Sequence, residues 1–253
     1  MRSRGATHTL FAALTLVVAL VATRPAHADP ALLRAGDAPQ LGGLFQPHAA
    51  ATVARRLDAT VRDIEQRVAR GERPTVIFDL DDTLLLGALD YRDARAFRGS
   101  RDLVQRFVAA GARIAYVSGR PNLMKSGTRA QLRALGFPIG GEHRLYLRHA
   151  QRSVVASKRA HARMLQRRGP VVAAFENEAP NTRMFRATLP GAMIFHHATR
   201  SDAADPTRTL GRRGITVFHG YPGHAGDVSK ERLRRGTAPR LPSFGAMRAA
   251  ARR

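Results

Sequence analysis

The sequence predicts an α/β protein with a parallel sheet flanked by helices, and three observations carry that prediction. Short apolar runs alternate with helix-period segments over roughly 150 residues, the pattern of strands joined by helical crossovers. Five of the runs have the length and composition of buried strands: Thr75–Phe78, Ile114–Val117, Leu145–Leu147, Val171–Phe175 and Met193–Phe195, with Ile215–Phe218 as a sixth at the edge. Between them lie helical segments near Arg101–Ala110, Leu123–Leu135 and Ser157–Gln166. The last two end close to Gly136 and Gly169, as helix stops do.

Ahead of the first strand, Val53, Leu57, Val61, Ile64 and Val68 recur at spacings of three and four, which predicts an amphipathic helix from about Ala49 to Ala69. The remaining segments are flanks. Residues 1–28 read as an export signal: Arg2 and Arg4, an apolar run from Leu10 to Ala22, then Ala26-His27-Ala28 as a cleavage site. That run is too short to span a bilayer, which takes about 20 residues. Residues 29–70 are then an irregular arm followed by the amphipathic helix. Residues 230–253 form a basic tail with eight Lys or Arg against the single acid Glu231. The chain is expected to be exported, to a periplasm or out of the cell.

The formal charge is +23, and loss of Arg2, Arg4 and Arg24 with the signal leaves +20. Such a field attracts nucleic acid, anionic lipid or phosphorylated substrate. Only Lys125, Lys158 and Lys230 are lysines, so an arginine coding bias with solvated surface charge explains it as well as a functional field does. Cysteine is absent, so the fold rests on its core without disulfides.

The chemistry concentrates where the first strand runs into Asp79-Leu80-Asp81-Asp82-Thr83. Open α/β sheets bind ligands at the carboxyl ends of their strands. Three carboxylates within four residues repel one another, and a hard dication such as Mg²⁺ relieves that repulsion.

The run Val76-Ile77-Phe78-Asp79-Leu80-Asp81-Asp82-Thr83 resembles the first motif of the haloacid dehalogenase superfamily, an apolar strand followed by Asp-x-Asp-x-Thr, and three further motifs follow in that family's order between Thr75 and Thr199. The resemblance implies a three-layer, Rossmann-like sheet in a catalytic domain over 71–229. It implies Asp79 as the nucleophile that takes up a phosphoryl group, Asp81 as the acid and base, and Thr83 as a support on the substrate side. In the second motif, Ile114-Ala115-Tyr116-Val117-Ser118-Gly119-Arg120, Ser118 and Gly119 meet phosphate, and Arg120 is a further candidate to face it. Lys158 fits the third motif better than Lys125 and would neutralise both nucleophile and phosphoryl group. The fourth, Val171–Phe175 followed by Glu176-Asn177-Glu178, completes the Mg²⁺ site through Glu176, beside Asp79 and the backbone carbonyl of Asp81.

The fourth motif departs from the family pattern: Glu176 stands where Asp is common, and Asn181 or Glu178 stands in place of a second Asp. His196, His197, His219 and His224 read as polar loop histidines. His219 and His224 have a zinc-pair spacing, but no cysteine completes a structural site. Neither inter-motif segment is long enough for a large cap domain, so the resemblance implies an open, capless phosphatase acting on a phosphorylated substrate, and the positive charge favours a polyanionic one. Transfer to an acceptor other than water, and a non-catalytic protein that holds envelope polyanions, are the two competing readings.

Overall fold

The computed structural model describes residues 50–86, 95–149, 151–198, 210–218, 220 and 221. The export signal, the irregular arm, the basic tail, Thr199, His219 and His224 lie outside the described residues. In chain order the elements are α1 (Ala50–Ala69), β1 (Thr75–Phe78), β2 (Leu85–Leu86), β3 (Arg95–Ala96), α2 (Ser100–Ala109), β4 (Arg113–Pro121), α3 (Lys125–Ala134), β5 (Arg144–Arg148), α4 (Val154–Arg167), β6 (Val171–Glu176), α5 (Ala179–Thr188), β7 (Met193–His197) and β8 (Thr216–Phe218). Two-residue strands β2 and β3 pair as a small antiparallel ribbon just after the carboxylate cluster. Among the described residues no helix is long and apolar enough to cross a membrane.

The main sheet has six parallel strands in the order β5-β4-β1-β6-β7-β8. From β1 the chain winds outward through β4 and β5, then returns to start the other half at β6. The reversal opens a crevice at the carboxyl ends of β1 and β6, the usual ligand position of such sheets. Phe78 is in register with both Tyr116 and Phe175, so the next residues, Asp79, Val117 and Glu176, sit side by side at that end.

Alternation along each strand divides the core into two clusters, which makes the fold three layers deep. Val76, Phe78, Tyr116 and Phe175 pack with Leu57 and Ile64 of α1, Phe107 of α2 and Leu132 of α3. Ile77, Ala115, Val117 and Ala174 pack with Leu165 of α4 and Phe185 of α5 on the opposite face. Because β1 is covered on both faces, all four of its residues are buried. Phe78, Phe175 and Phe195 stack from strand to strand, with ring centroids 4.5 Å apart in each pair.

Candidate active site

The turn after β1 places the nucleophile candidate. The Leu80 carbonyl accepts the backbone N–H groups of Thr83, Leu84 and Leu85, at 3.3, 2.8 and 2.8 Å, which curls the chain back on itself. That curl puts Asp82 at φ 55, a left-handed conformation that aspartate tolerates better than most residues. Two residues from the far edge of the sheet pin the turn: Tyr221 donates its hydroxyl to the Thr83 carbonyl at 2.6 Å, and His197 Nδ1 lies 3.1 Å from the Asp82 carbonyl. Burial, and then the charge of Asp79, hold the Tyr221 phenol well above its usual range, so it stays a donor.

Asp79, Thr83, Lys158 and Glu176 come together as buried side chains at the crevice. Lys158 Nζ donates to Asp79 Oδ1 at 2.7 Å and to Glu176 Oε2 at 2.6 Å, and Thr83 Oγ1 donates to Asp79 Oδ2 at 3.1 Å. The second oxygen of Glu176 accepts the backbone N–H groups of Asn177 and Glu178, at 3.2 and 3.0 Å. Thus one ammonium serves two buried carboxylates. Burial pushes Asp79 up to about 7, the charge of Glu176 adds to that, and the pull of Lys158 only partly offsets both. Burial alone would lower Lys158, but Asp79 and Glu176 outweigh it and hold the ammonium well above the ordinary lysine value. Helix α4 sets the Lys158 position, beginning three residues ahead of the predicted start under an N-cap from Ser153, whose side chain accepts the Ala156 N–H at 3.2 Å.

Asp81 is held apart from this cluster. Its two carboxylate oxygens accept from Arg120 Nε at 3.0 and 2.9 Å, and Arg120 Nη2 adds a further bond. Arg120 Nη1 is anchored in turn to Thr128 Oγ1 at 3.2 Å and Gln131 Oε1 at 2.5 Å, both on α3. The expectation that Arg120 faces phosphate is therefore corrected: its guanidinium is buried and binds the second aspartate. Ser118 is buried within β4, three residues before its end, where its Oγ accepts the Arg120 N–H at 3.2 Å, leaving its own proton to donate. Gly119 is hemmed in, since a Cβ there would come within 3.1 Å of Val154 and its carbonyl accepts from Arg148 Nε at 3.1 Å. Lys125, the alternative lysine, is exposed at the start of α3.

The histidine reading also changes. His196 and His197 are fully buried in β7, two residues past the predicted strand end, and are not loop residues. His196 Nδ1 lies 2.8 Å from Thr182 Oγ1, and the His197 ring stacks on Phe218 with centroids 4.9 Å apart.

The residues present suit a hard dication. Asp79 and Glu176 against Lys158 leave one negative charge buried, and Asn181 Oδ1 is a buried acceptor with no hydrogen-bond partner. Asn181 Nδ2 lies 3.5 Å from Glu176 Oε1, whereas Glu178 is exposed at the N-cap of α5, so Asn181 is the better placed of the two residues left open by the sequence. Among the described residues no group of three or more His, Cys, Asp or Glu side chains converges, so a dication at this end would have to draw on two carboxylates supplemented by neutral oxygens.

Residues 76–195 match the family model for the LNS2 domain of PITM 1-3. Comparison with curated proteins finds no match. Among solved structures the chain is similar to the class C acid phosphatase from Bacillus anthracis, at 17% identity and a TM-score of 0.45, covering 80% of this chain and 88% of that one. It is also similar to a chain of the Pnkp1/Rnl/Hen1 complex, at 18% identity and a TM-score of 0.42, over 49% of this chain and 46% of that one. The segment matched by the LNS2 model contains Asp79, Asp81, Thr83, Ser118, Gly119, Lys158 and Glu176.

Proposed function

We propose that the chain is a Mg²⁺-dependent phosphomonoester hydrolase that works through an aspartyl-phosphate on Asp79. The observation that carries this reading is the juxtaposition, at the crevice of a parallel sheet, of a buried aspartate with a lysine 2.7 Å away and a threonine 3.1 Å away. A structural ion pair needs only one carboxylate. This one has two on a single ammonium, an arrangement that stores negative charge where a nucleophile is needed.

In the first step an Asp79 oxygen forms a bond to phosphorus as the ester P–O bond breaks, and the leaving oxygen takes a proton from Asp81. In the second, water attacks the aspartyl-phosphate, Asp81 accepts its proton, and Asp79 leaves with phosphate released. Splitting one displacement into two lets the same carboxylate pair serve both. Lys158 and the Ser118 hydroxyl offset charge on the phosphoryl oxygens as it redistributes. Mg²⁺, held by Asp79, the Asp81 carbonyl and Glu176 with Asn181 adjacent, would supply further neutralisation of the phosphoryl group. For Asp81 to reach a leaving oxygen, its carboxyl must turn from Arg120.

Export and an open site without a large cap belong to the same proposal. They are supported by the Ala26-His27-Ala28 signature and by the shortness of the segments from Thr83 to Ser118 and from Ser118 to Lys158. The substrate is a phosphorylated species, and the positive charge of the chain favours a polyanionic one.

The test is phosphate release from a mixed substrate panel by the mature chain, with Mg²⁺ and with chelator, beside Asp79→Asn. Release that needs Mg²⁺ and vanishes in the variant is expected. Release that survives Asp79→Asn would remove Asp79 from the reaction. Adding alcohol acceptors to the same assay separates hydrolysis from transfer.

A further inference from the structure

At the end of the sheet opposite Asp79, a cleft of about 480 Å³ opens over the amino ends of β1, β4 and β5. Its charged lining is Arg73, Arg113, Lys125, Arg144 and Arg168 against one acid, Glu142, an excess of four positive charges. Some surface arginines elsewhere in the chain are matched with acids, Arg67 with Asp63 and Glu72 and Arg106 with Asp58. In the cleft the one acid is already bonded to Arg73, and Lys125, Arg144 and Arg168 are exposed with no ion-pair partner among the described residues. Like charges gathered around one hollow repel one another, and an anion bound between them removes that repulsion.

Arg113 adds an independent observation. Its Nη2 donates to the Arg73 carbonyl at 2.6 Å and is 3.4 Å from the Arg168 carbonyl, so the guanidinium is clamped by backbone. Its Nε is nonetheless a buried donor without a hydrogen-bond partner. A buried donor held rigidly and left unmatched is uncommon and calls for an acceptor. Guanidinium N–H groups donate strongly to phosphate oxygens, and with Nη2 held by backbone it is Nε that remains to be matched, on a group fixed in advance that loses little freedom on binding. The apolar side of the cleft, from Ile114, Leu145, Leu165 and the ring of Tyr146, leaves room for more than bare phosphate.

We infer that this cleft is a second ligand site, separate from the Asp79 crevice, for a small molecule carrying two or more phosphate groups. The inference does not depend on the phosphatase reading. Such a ligand could be a free polyphosphate chain or the phosphate tail of a nucleotide, which share the chemistry that four unmatched cations select.

The experiment is isothermal titration of the full chain in the Asp79→Asn background with tripolyphosphate, adenosine triphosphate and inorganic phosphate at low ionic strength. Saturable binding of one or both polyphosphates is expected, at least ten-fold tighter than inorganic phosphate and weakened by salt. Which of the two binds more tightly identifies the source. The double variant Arg144→Ala, Arg168→Ala should lose at least ten-fold in affinity. Should the double variant misfold, the single variants Arg144→Ala and Arg168→Ala, each at an exposed position, carry the same readout. Unchanged affinity in the cleft variants would assign binding to the Asp79 end or to the chain termini and overturn the inference. So would the absence of saturable binding.

Discussion

At the residue scale, the sharing of Lys158 by two buried carboxylates makes the sharpest predictions. Lys158→Met leaves Asp79 and Glu176 facing each other without a cation. Phosphate release should fall by about 10²–10³-fold, the loss typical of removing one charge-stabilising donor. Breaking a buried ion pair typically costs about 3–5 kcal/mol, so thermal denaturation should show a marked loss of stability at pH 8, and a smaller one at pH 5, where a carboxylate can take a proton. The Arg120 clamp on Asp81 gives a second. Arg120→Met frees the carboxyl from α3, so turnover of alkyl phosphates, whose leaving oxygen needs a proton, should change more than turnover of p-nitrophenyl phosphate, whose leaving group departs as a stable anion. Equal changes on both substrates would reduce Arg120 to a structural residue. That Asp79, Thr83 and Glu176 meet was legible because they follow apolar strands, and Lys158 was legible from the motif order of the resemblance, at the head of the helix before β6. The Arg120 role was not. Its partner lies 39 residues away, and in a chain this rich in arginine the residue type carries no signal.

At the scale of elements, α4 matters because it carries Lys158 into the crevice. Ser153→Ala removes the cap that starts the helix, and denaturant melts should show a loss of about 1 kcal/mol with the fold retained. The six strands of the main sheet and four of the five helices were readable from the pattern of apolar residues, with ends displaced by a few residues. Helix α5 is not marked in the sequence: Pro180 offers a start, but Met184 and Phe185 are too few apolar positions to set a helical period. Ribbon β2–β3 is two residues per strand, too short for alternation to register. Strand β7 runs on through His196 and His197, where the His197 ring packs against Phe97 and Phe218 and His196 meets the Thr182 hydroxyl, while a hydropathy reading scores both as polar.

For the whole molecule, the buried negative charge ties stability to pH. Asp79 has an ordinary value of 3.8 and is pushed up to about 7 in the fold. Between those limits the folded chain holds a proton that the unfolded chain has released, so stability is full below about pH 4 and declines as pH rises through 7. Melting temperatures of the metal-free protein should follow that decline. Asp79→Asn should flatten it and raise the melting temperature at pH 8, by roughly 2–4 °C per kcal/mol of repulsion relieved. Mg²⁺ should do the same for the wild-type protein by binding the ionised form. A flat profile in the wild type would show that the carboxylate is not strained by its surroundings.

The hydroxyl of Tyr221 reaches the Thr83 carbonyl across 138 positions of sequence. Whatever emerges first during synthesis, the turn after β1 lacks one of its two outer braces until Tyr221 has been added. A nascent or prematurely terminated product ending at β8 would thus contain all six strands of the main sheet and every proposed reactive group, yet hold Asp79 beside a slack turn.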